Sequence, residues 1–176
     1  ASWEHLQEQT GRELSEFARF CYHMPFTRMA EVAHRKLLKA EGLLTPENLA
    51  LVHDSQVYNR QVGNSYTASV HLGLQSALAN CREELTGKAL ALFSYGSGCH
   101  AEFYAGVVQP GYRNGLEPNV KHLLDGRQQV DLSQYEEFYR FGAPEDGSDF
   151  DFPTEYRTGA FRLAALRRHK PIYESV

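Results

Sequence analysis

Two strand-like runs separated by a short glycine-containing turn constrain the fold of this chain more than any other feature of its sequence. The runs lie at 88–95 and 101–108, and the residues around the turn read SYGSGCH. Neighbouring strands joined by a short turn pair antiparallel. The sequence therefore predicts two adjacent antiparallel strands at this point in the chain.

The same turn places a serine between two glycines, as Gly96-Ser97-Gly98. A hydrolase elbow has the spacing G-x-S-x-G and lies between a strand and a helix. Here the glycines adjoin the serine directly and another strand-like run follows, so we do not expect Ser97 to be a nucleophile. Two interpretations stay open. The turn is either a plain hairpin, or a segment whose glycines let the backbone approach a ligand and direct amide N–H groups toward it.

Apolar residues at helical spacing predict helices before and after this hairpin. The predicted helices cover 14–21, 27–42 with a stop at Gly42, a segment starting at Thr45-Pro46, the residues after a loop at 63–69, a short stretch at 120–124, and a segment capped by Ser133 and Glu136. On the helix at 27–42, one face is expected to carry Met29, Val32, Ala33, Lys36 and Leu37. On the helix after the loop at 63–69, the apolar face is expected to carry Val70, Leu74, Ala77, Leu78 and Cys81.

The C-terminal part of the chain carries a different pattern. The segment 142–154 is acidic and rich in turn residues, which predicts a surface loop, and the tail GAFRLAALRRHKPIYE predicts strand with a turn near HKP. Strands and helices together predict a mixed α/β class.

Composition narrows the class of protein and its partners. The net charge of −4 argues against nucleic acid or an anionic membrane as a general partner. Three cysteines without C-x-x-C spacing indicate neither a disulfide framework nor a zinc knuckle. No apolar run approaches the ~20 residues of a membrane span, and the first residues lack a signal-peptide layout. We therefore expect a cytoplasmic protein that binds neither nucleic acid nor a membrane.

The tripeptide Cys21-Tyr22-His23 allows two interpretations. Residues two apart share a face of an extended segment, so a Cys–His dyad is conceivable. A reactive thiol needs an electropositive and accessible setting, and the sequence shows none, which favours Cys21 as a small buried hydrophobe on the helix at 14–21. His23 lies just before Met-Pro-Phe, where Pro25 must end any helix. A structural and a functional role for His23 are equally supported by these residues.

Two further polar positions are candidates for chemistry. Glu31 and His34 have the E-x-x-H spacing of di-iron carboxylate bundles, but no second copy occurs, so we interpret them as a solvated helix face and predict no metal. Asn64 follows Gly63 in the loop at 63–69. Such an asparagine is usually structural, and as a functional residue it would donate its amide to a substrate oxygen.

Taken together, three motifs carry a family resemblance. CYHMPFTRM, then YNRQVGNSYTAS, then ALFSYGSG followed by AEFYAG, resemble the C-terminal half of 3-hydroxy-3-methylglutaryl-CoA (HMG-CoA) synthases, from about Leu14 to Phe141. The resemblance implies a thiolase-like fold of five αβαβα layers, usually in a homodimer. The whole chain, 1–176, would be the C-terminal half of such a protein. The family's nucleophilic cysteine and catalytic glutamate belong to the N-terminal half, so we expect this chain to be one piece of a longer or cleaved polypeptide.

The resemblance also implies roles for individual residues. His23 would hydrogen-bond the carbonyl oxygen of the acceptor and act as general acid to the alkoxide formed there, and Asn64 would hold the same acceptor. Ser97, with Gly96 before it, would offer a backbone N–H to an oxyanion hole over the acylated cysteine. The implied reaction is a Claisen-type condensation of an enzyme-bound acetyl group with an acetoacetyl-type thioester. The resemblance further implies that no cofactor or metal is permanently bound, and that the substrates are carried on phosphopantetheine, either of an acyl carrier protein or of CoA.

One departure bears on the substrate carrier. HMG-CoA synthases of primary metabolism commonly have lysines at the positions of Arg28, Glu31 and Val32, facing the CoA phosphates. Here only Arg28 keeps the charge, and the M-A-E-V-A-H run resembles the HMG-synthase homologues of polyketide β-branching. These use donor and acceptor acyl carrier proteins. Because carrier proteins are acidic, the basic residues of this helix are candidate docking charges or merely solubilising groups; they are Arg28, Arg35 and Lys36.

Three functions therefore stay open. The first is a carrier-protein-dependent HMG synthase of polyketide β-branching, and the second is an HMG-CoA synthase that uses acetyl-CoA and acetoacetyl-CoA in primary metabolism. The third, of another class, is a non-catalytic thiolase-like scaffold subunit.

Overall fold

The computed structural model describes residues 2–96, 98–116, 119–154 and 159–176 of the chain. They form two compact units, Ala1–Arg127 and Gln128–Val176. The elements of the first unit, in chain order, are α1 (Ser2–Thr10), β1 (Phe17–Tyr22), α2 (Arg28–Ala40), α3 (Pro46–Ala50), α4 (Asn59–Val62), α5 (Ala68–Asn80), β2 (Ala89–Gly96), β3 (His100–Val107) and α6 (Asn119–Asp125). Short 3-10 turns lie at Leu14–Glu16, His53–Gln56 and Tyr112–Gly115.

A three-stranded sheet in the order β1-β2-β3 organises the first unit. β1 and β2 run parallel, with Tyr22 opposite Phe93. β2 and β3 run antiparallel from the pair Ala89 and Val107 to the pair Gly96 and His100. The prediction of two adjacent antiparallel strands around SYGSGCH is thereby confirmed.

β1 occupies a segment that was expected to be helical. The predicted helix at 14–21 is wrong, because after one 3-10 turn the chain is extended from Phe17 to Tyr22. Both faces of this strand are buried: Phe20 packs in one apolar cluster and Cys21 in another. A strand that is buried on both faces is a continuous apolar run, which periodicity does not distinguish from a buried helix.

Two apolar clusters lie against the sheet. The first joins Trp3, Phe20 and Leu38 with neighbouring residues of α1, β1 and α2. The second joins Cys21 and Leu90 with residues of α5. The predicted apolar face of the helix after 63–69 is confirmed, since its members are buried or partly buried in this second cluster; they are Val70, Leu74, Ala77, Leu78 and Cys81.

The predicted face of α2 is confirmed in part, because Ala33 and Leu37 pack against the first cluster, but the centre of the buried face lies about one position further along the helix. The helix buries Ala30, His34 and Leu38, whereas Val32 is 47% exposed. The error comes from His34, which a hydropathy pattern counts as polar although its ring is fully buried. The stop at Gly42 is supported by its left-handed φ of 70°.

Two predicted helix starts have different outcomes. Thr45 caps α3 as predicted, because its side chain accepts a hydrogen bond from the backbone N–H of Asn48 at 3.2 Å. The cap predicted at Ser133 and Glu136 is wrong. The capping box of the next helix is made by Asp131 and Gln134, each side chain accepting from the other residue's backbone N–H.

The second unit contains α7 (Leu132–Arg140) and an antiparallel sheet of β4 (Phe150–Asp151), β5 (Phe161–Arg167) and β6 (Lys170–Ser175). The predicted tail strands are confirmed, and they turn at Arg168 and His169, which both have positive φ. In the described ranges of the two units, no helix combines the length and the apolarity needed to cross a membrane.

Candidate active site

His23 follows the last residue of β1 at the carboxyl end of a parallel strand pair. Its backbone N–H donates to the carbonyl oxygen of Phe93 at 2.7 Å, which extends the β1–β2 pairing by one bond. Pro25 comes two residues later, and α2 begins only at Arg28. Ligand sites of α/β sheets lie at this edge, beyond the carboxyl ends of parallel strands. The backbone thus places His23 where a ligand could reach it.

Among the residues that the structure describes, the imidazole of His23 is held by packing and not by hydrogen bonds. The residue is 8% exposed, and its buried Nδ1 has no hydrogen-bond partner in the described part of the chain. Its ring lies against that of Tyr95, with centroids 4.4 Å apart and planes at 54°. Burial lowers the pKa of His23 below its ordinary value of 6.5, so the ring is neutral near pH 7 and can donate one proton.

The start of α5 is joined to the segment of His23. The backbone N–H of Met24 donates to Ser69 Oγ at 2.9 Å, and Asn59 Nδ2 donates to the carbonyl oxygen of Ser69 at 3.3 Å. A side chain at Gly73 would meet Met24 Cε at 3.2 Å, so this glycine allows α5 to approach closely. These contacts fix the N-terminal end of α5 beside the site.

Asn64 lies in the loop that leads into α5. Its Oδ1 accepts a hydrogen bond from the backbone N–H of Tyr66 at 2.9 Å, and Gly63 before it has a φ of 80°. This is an Asx turn, which agrees with the structural interpretation. Because Oδ1 is used in this turn, the side-chain NH₂ of the exposed Asn64 is the group that could donate a hydrogen bond to a ligand.

The glycine-flanked turn reaches the same sheet edge. Gly96 ends β2, and because β1 and β2 are parallel, their carboxyl ends meet there. Gly98 and Cys99 have φ values of 89° and 59°, so the backbone turns at these two residues before β3 begins. Ser97 itself lies outside the described residues, and the roles assigned to Gly96 and Ser97 remain predictions.

Arg28 is the first residue of α2 and is exposed, as are Arg35 and Lys36. Glu31 on the same helix faces Arg60, with its Oε1 3.8 Å from the guanidinium Nη2. The side chain of Gln56 links the two regions, since its Nε2 donates to the carbonyl oxygen of Thr27 and its Oε1 accepts from Arg60. The start of α2 is therefore tied to α4 through polar contacts.

Cys21 is not poised for reaction. It is 0% exposed, and burial raises the pKa of its thiol to about 12. Its interpretation as a buried small hydrophobe is supported, although it lies on a strand and not on a helix.

His34 differs from its predicted role. The solvated helix face proposed for Glu31 and His34 is wrong, because His34 is 0% exposed. Its Nε2 is 3.0 Å from the carbonyl oxygen of Asn48, which can only accept, so Nδ1 accepts from the hydroxyl of Tyr22 at 2.9 Å. Across the described residues, no group of three or more His, Cys, Asp or Glu side chains could hold a metal ion.

The sequence does not single out three residues that support the site of His23. Tyr95 and Asn59 belong to the quoted motifs without a predicted role, and Ser69 is predicted only as part of the loop at 63–69. The spacing of Phe93 and Tyr95 on one face of a predicted strand was an available signal for Tyr95. The contacts of Ser69 and Asn59 depend on how α5 packs, which no local pattern contains.

Comparisons with known proteins find one matching family profile and relatives of similar sequence. The family profile described as hydroxymethylglutaryl-coenzyme A synthase C terminal matches residues 46–141. A hydroxymethylglutaryl-CoA synthase of Enterococcus faecalis is 34% identical over 139 residues, covering 78% of this chain and 36% of that protein. The polyketide biosynthesis 3-hydroxy-3-methylglutaryl-ACP synthase PksG of Bacillus subtilis (strain 168) is 33% identical over 148 residues, covering 77% of this chain and 35% of that protein. The chain thus spans about a third of the length of these relatives.

A solved structure extends the comparison to the fold. The crystal structure of the curacin biosynthetic pathway HMG synthase in complex with holo donor-ACP superposes with a TM-score of 0.84 at 26% identity, covering 99% of this chain and 47% of that one. The expectation of a thiolase-like fold, of which this chain is a C-terminal part, is confirmed by this match.

Proposed function

Because the chain belongs to the hydroxymethylglutaryl-CoA synthase family, we propose that it supplies the C-terminal part of an acyltransferase active site. The complete enzyme condenses an enzyme-bound acetyl group with the β-ketone of an acetoacetyl-type thioester. The observation that carries the proposal is His23, a buried neutral imidazole with an unpaired Nδ1 at the carboxyl edge of the sheet.

Each residue of the site has one task in this reaction. The acetyl group is loaded on a cysteine of the N-terminal half, and a glutamate of that half removes a methyl proton. The resulting carbanion forms a C–C bond to the acceptor carbonyl, whose π electrons move onto oxygen. His23 hydrogen-bonds this oxygen and transfers a proton to the alkoxide, and Asn64 holds the acceptor through its amide. The backbone N–H at Ser97, after Gly96, stabilises the oxyanion on the acylated cysteine, and water then releases the product from that cysteine.

We further propose that acyl carrier proteins deliver both substrates, as in polyketide β-branching. Glu31 supports this proposal, because its carboxylate, which pairs with Arg60, would repel the phosphates of CoA. The exposed cations of α2 support it as well, since Arg28, Arg35 and Lys36 could meet the acidic surface of a carrier protein. The B. subtilis relative is named as an ACP synthase, and the curacin enzyme was crystallised with a donor ACP.

A donor comparison tests the proposal. The complete enzyme is incubated separately with acetyl-carrier protein and with acetyl-CoA, and acetylation of its cysteine is followed by mass spectrometry. We expect acetyl-carrier protein to load it much faster. Substituting Arg28→Glu should slow that loading, whereas Arg168→Glu, an exposed arginine of the tail turn, is the matched control. Equal loading by acetyl-CoA would point to the second function.

That second function is a primary-metabolism HMG-CoA synthase, and the similarity to the E. faecalis enzyme favours it. The scaffold function would require an N-terminal half without the cysteine and the glutamate. We also propose a cytoplasmic homodimer without resident cofactor, which rests on the family resemblance.

A further inference from the structure

We propose that Tyr95 is a positioning residue, whose ring holds the imidazole of His23 in the orientation from which it reaches the acceptor carbonyl. This inference rests on the proposed function, since it gives His23 a proton to transfer. It adds a residue of β2 that acts on the reaction only through His23.

In the described part of the chain, the ring of His23 is held by packing and by no hydrogen bond. Within the described residues, neither ring nitrogen makes a hydrogen bond, and Nδ1 is buried. In most sites a carboxylate or a carbonyl on one nitrogen fixes the orientation of the imidazole. Here the nearest aromatic ring is that of Tyr95, at 4.4 Å between centroids. The contact with Tyr95 is therefore an observed packing constraint on the rotamer of His23.

Tyr95 is itself supported by the aromatic core. Its ring packs against Phe93, two residues earlier on the same face of β2, with centroids 6.1 Å apart. Phe93 in turn contacts Tyr22 at 5.9 Å and Phe103 at 6.1 Å. A row of core aromatics thus fixes Tyr95 on one side and leaves its other side for His23.

The aromatic ring of Tyr95, and not its hydroxyl group, is the part that holds His23. Ring packing requires the flat aromatic surface and not the hydroxyl group, because edge and face contacts between rings come from the π system. A phenylalanine therefore keeps the function, whereas an aliphatic side chain of similar volume leaves the imidazole free to turn. A misplacement of ~1 Å in a reacting group can cost about 100-fold in rate.

Single variants of the complete enzyme give the first test. Tyr95→Leu should lower kcat of condensation by about 100-fold with little change in the KM of the acceptor, while acetylation of the nucleophilic cysteine proceeds normally. Tyr95→Phe should keep the wild-type kcat.

Tyr104→Leu, a tyrosine opposite Leu92 on the neighbouring strand, is the matched control. If Tyr95→Leu does not fold, the kcat of condensation is measured on Tyr95→Met, which also lacks the aromatic ring. A Tyr95→Phe variant as slow as Tyr95→Leu overturns the proposal, because the hydroxyl would then be required.

A double variant separates this proposal from the function on which it rests. In His23→Ala, the further change Tyr95→Leu should cost nothing more, because a residue that acts only through His23 has no effect without it. Equal losses from Tyr95→Leu with and without His23 overturn the positioning role and leave the proposed function intact. Full condensation by His23→Ala alone overturns both.

Discussion

Ser69 Oγ accepts the backbone N–H of Met24 at 2.9 Å, and this one bond joins the first turn of α5 to the residue that follows His23. The donor and the acceptor are both buried, so neither group has water as a substitute partner. The two segments that carry His23 and Asn64 are therefore coupled through a side chain that touches neither residue.

Ser69→Ala should destabilise the protein and slow condensation together. The substitution leaves the buried N–H of Met24 unpaired, which costs about 1–3 kcal/mol. Urea unfolding of the complete enzyme measures the loss of stability. Ser133→Ala, at an exposed position of α7, is the control and should leave the unfolding midpoint unchanged. Equal midpoints for both variants would contradict the role given to Ser69.

His23→Ala should block condensation without blocking acetylation. The general acid is lost, so condensation should fall by about 10²–10⁴-fold, while loading of the cysteine needs no proton from this ring. Rapid quenching followed by mass spectrometry counts acetylated enzyme and product separately. An acetylation defect as large as the condensation defect would remove His23 from its proposed step.

His34 should make the fold less stable as the pH falls. Burial lowers the pKa of His34 in the folded state below the ordinary 6.5, so the unfolded chain binds the proton more tightly. Above about pH 6.5 His34 is neutral in both states and does not lower the free energy of unfolding. As the pH drops below that value toward the lower folded pKa, the unfolded chain takes up the proton first, and the free energy of unfolding decreases. Unfolding midpoints at pH 7.5 and 5.5 measure the effect. His34→Gln, which cannot titrate, should show a smaller difference between the two pH values, and an unchanged difference would refute the assignment.

Arg19→Lys should be destabilising although it keeps the charge. Arg19 Nε lies 2.7 Å from Asp54 Oδ2, and its Nη2 contacts both Glu83 and Cys81 Sγ. A lysine cannot reproduce this fork of donors, and lost charge-assisted hydrogen bonds cost about 1.5–3 kcal/mol. Thermal unfolding would show the loss. Arg35→Lys, on the exposed face of α2, should be neutral, so an equal effect at both positions would fail the prediction.

Features of the fold that have a local signal could be predicted from the sequence, and those that depend on tertiary packing could not. The hairpin around SYGSGCH and the cap at Thr45 could be predicted because their signals are local. The helix expected at 14–21 is a strand, since Phe17, Phe20 and Cys21 pack on two faces at once and such runs have no decisive period. The burial of His34 depends on Tyr22 and Asn48, whose positions follow only from tertiary packing. Tyr95 beside His23 likewise needs two strands in register.

That register decides which side chain the sheet edge presents. Tyr22 stands opposite Phe93, and the next backbone N–H, that of His23, reaches the Phe93 carbonyl. Sliding β1 by one residue would exchange the faces of Cys21 and Tyr22 and bring either Tyr22 or Met24 to the place of the imidazole. The irregularity between Phe17 and Arg19 lies upstream of this point, so it shifts the start of the strand without altering its end. The alignment of two strands thus selects the residue that we propose as the acid, and any insertion between that irregularity and His23 would put another residue there.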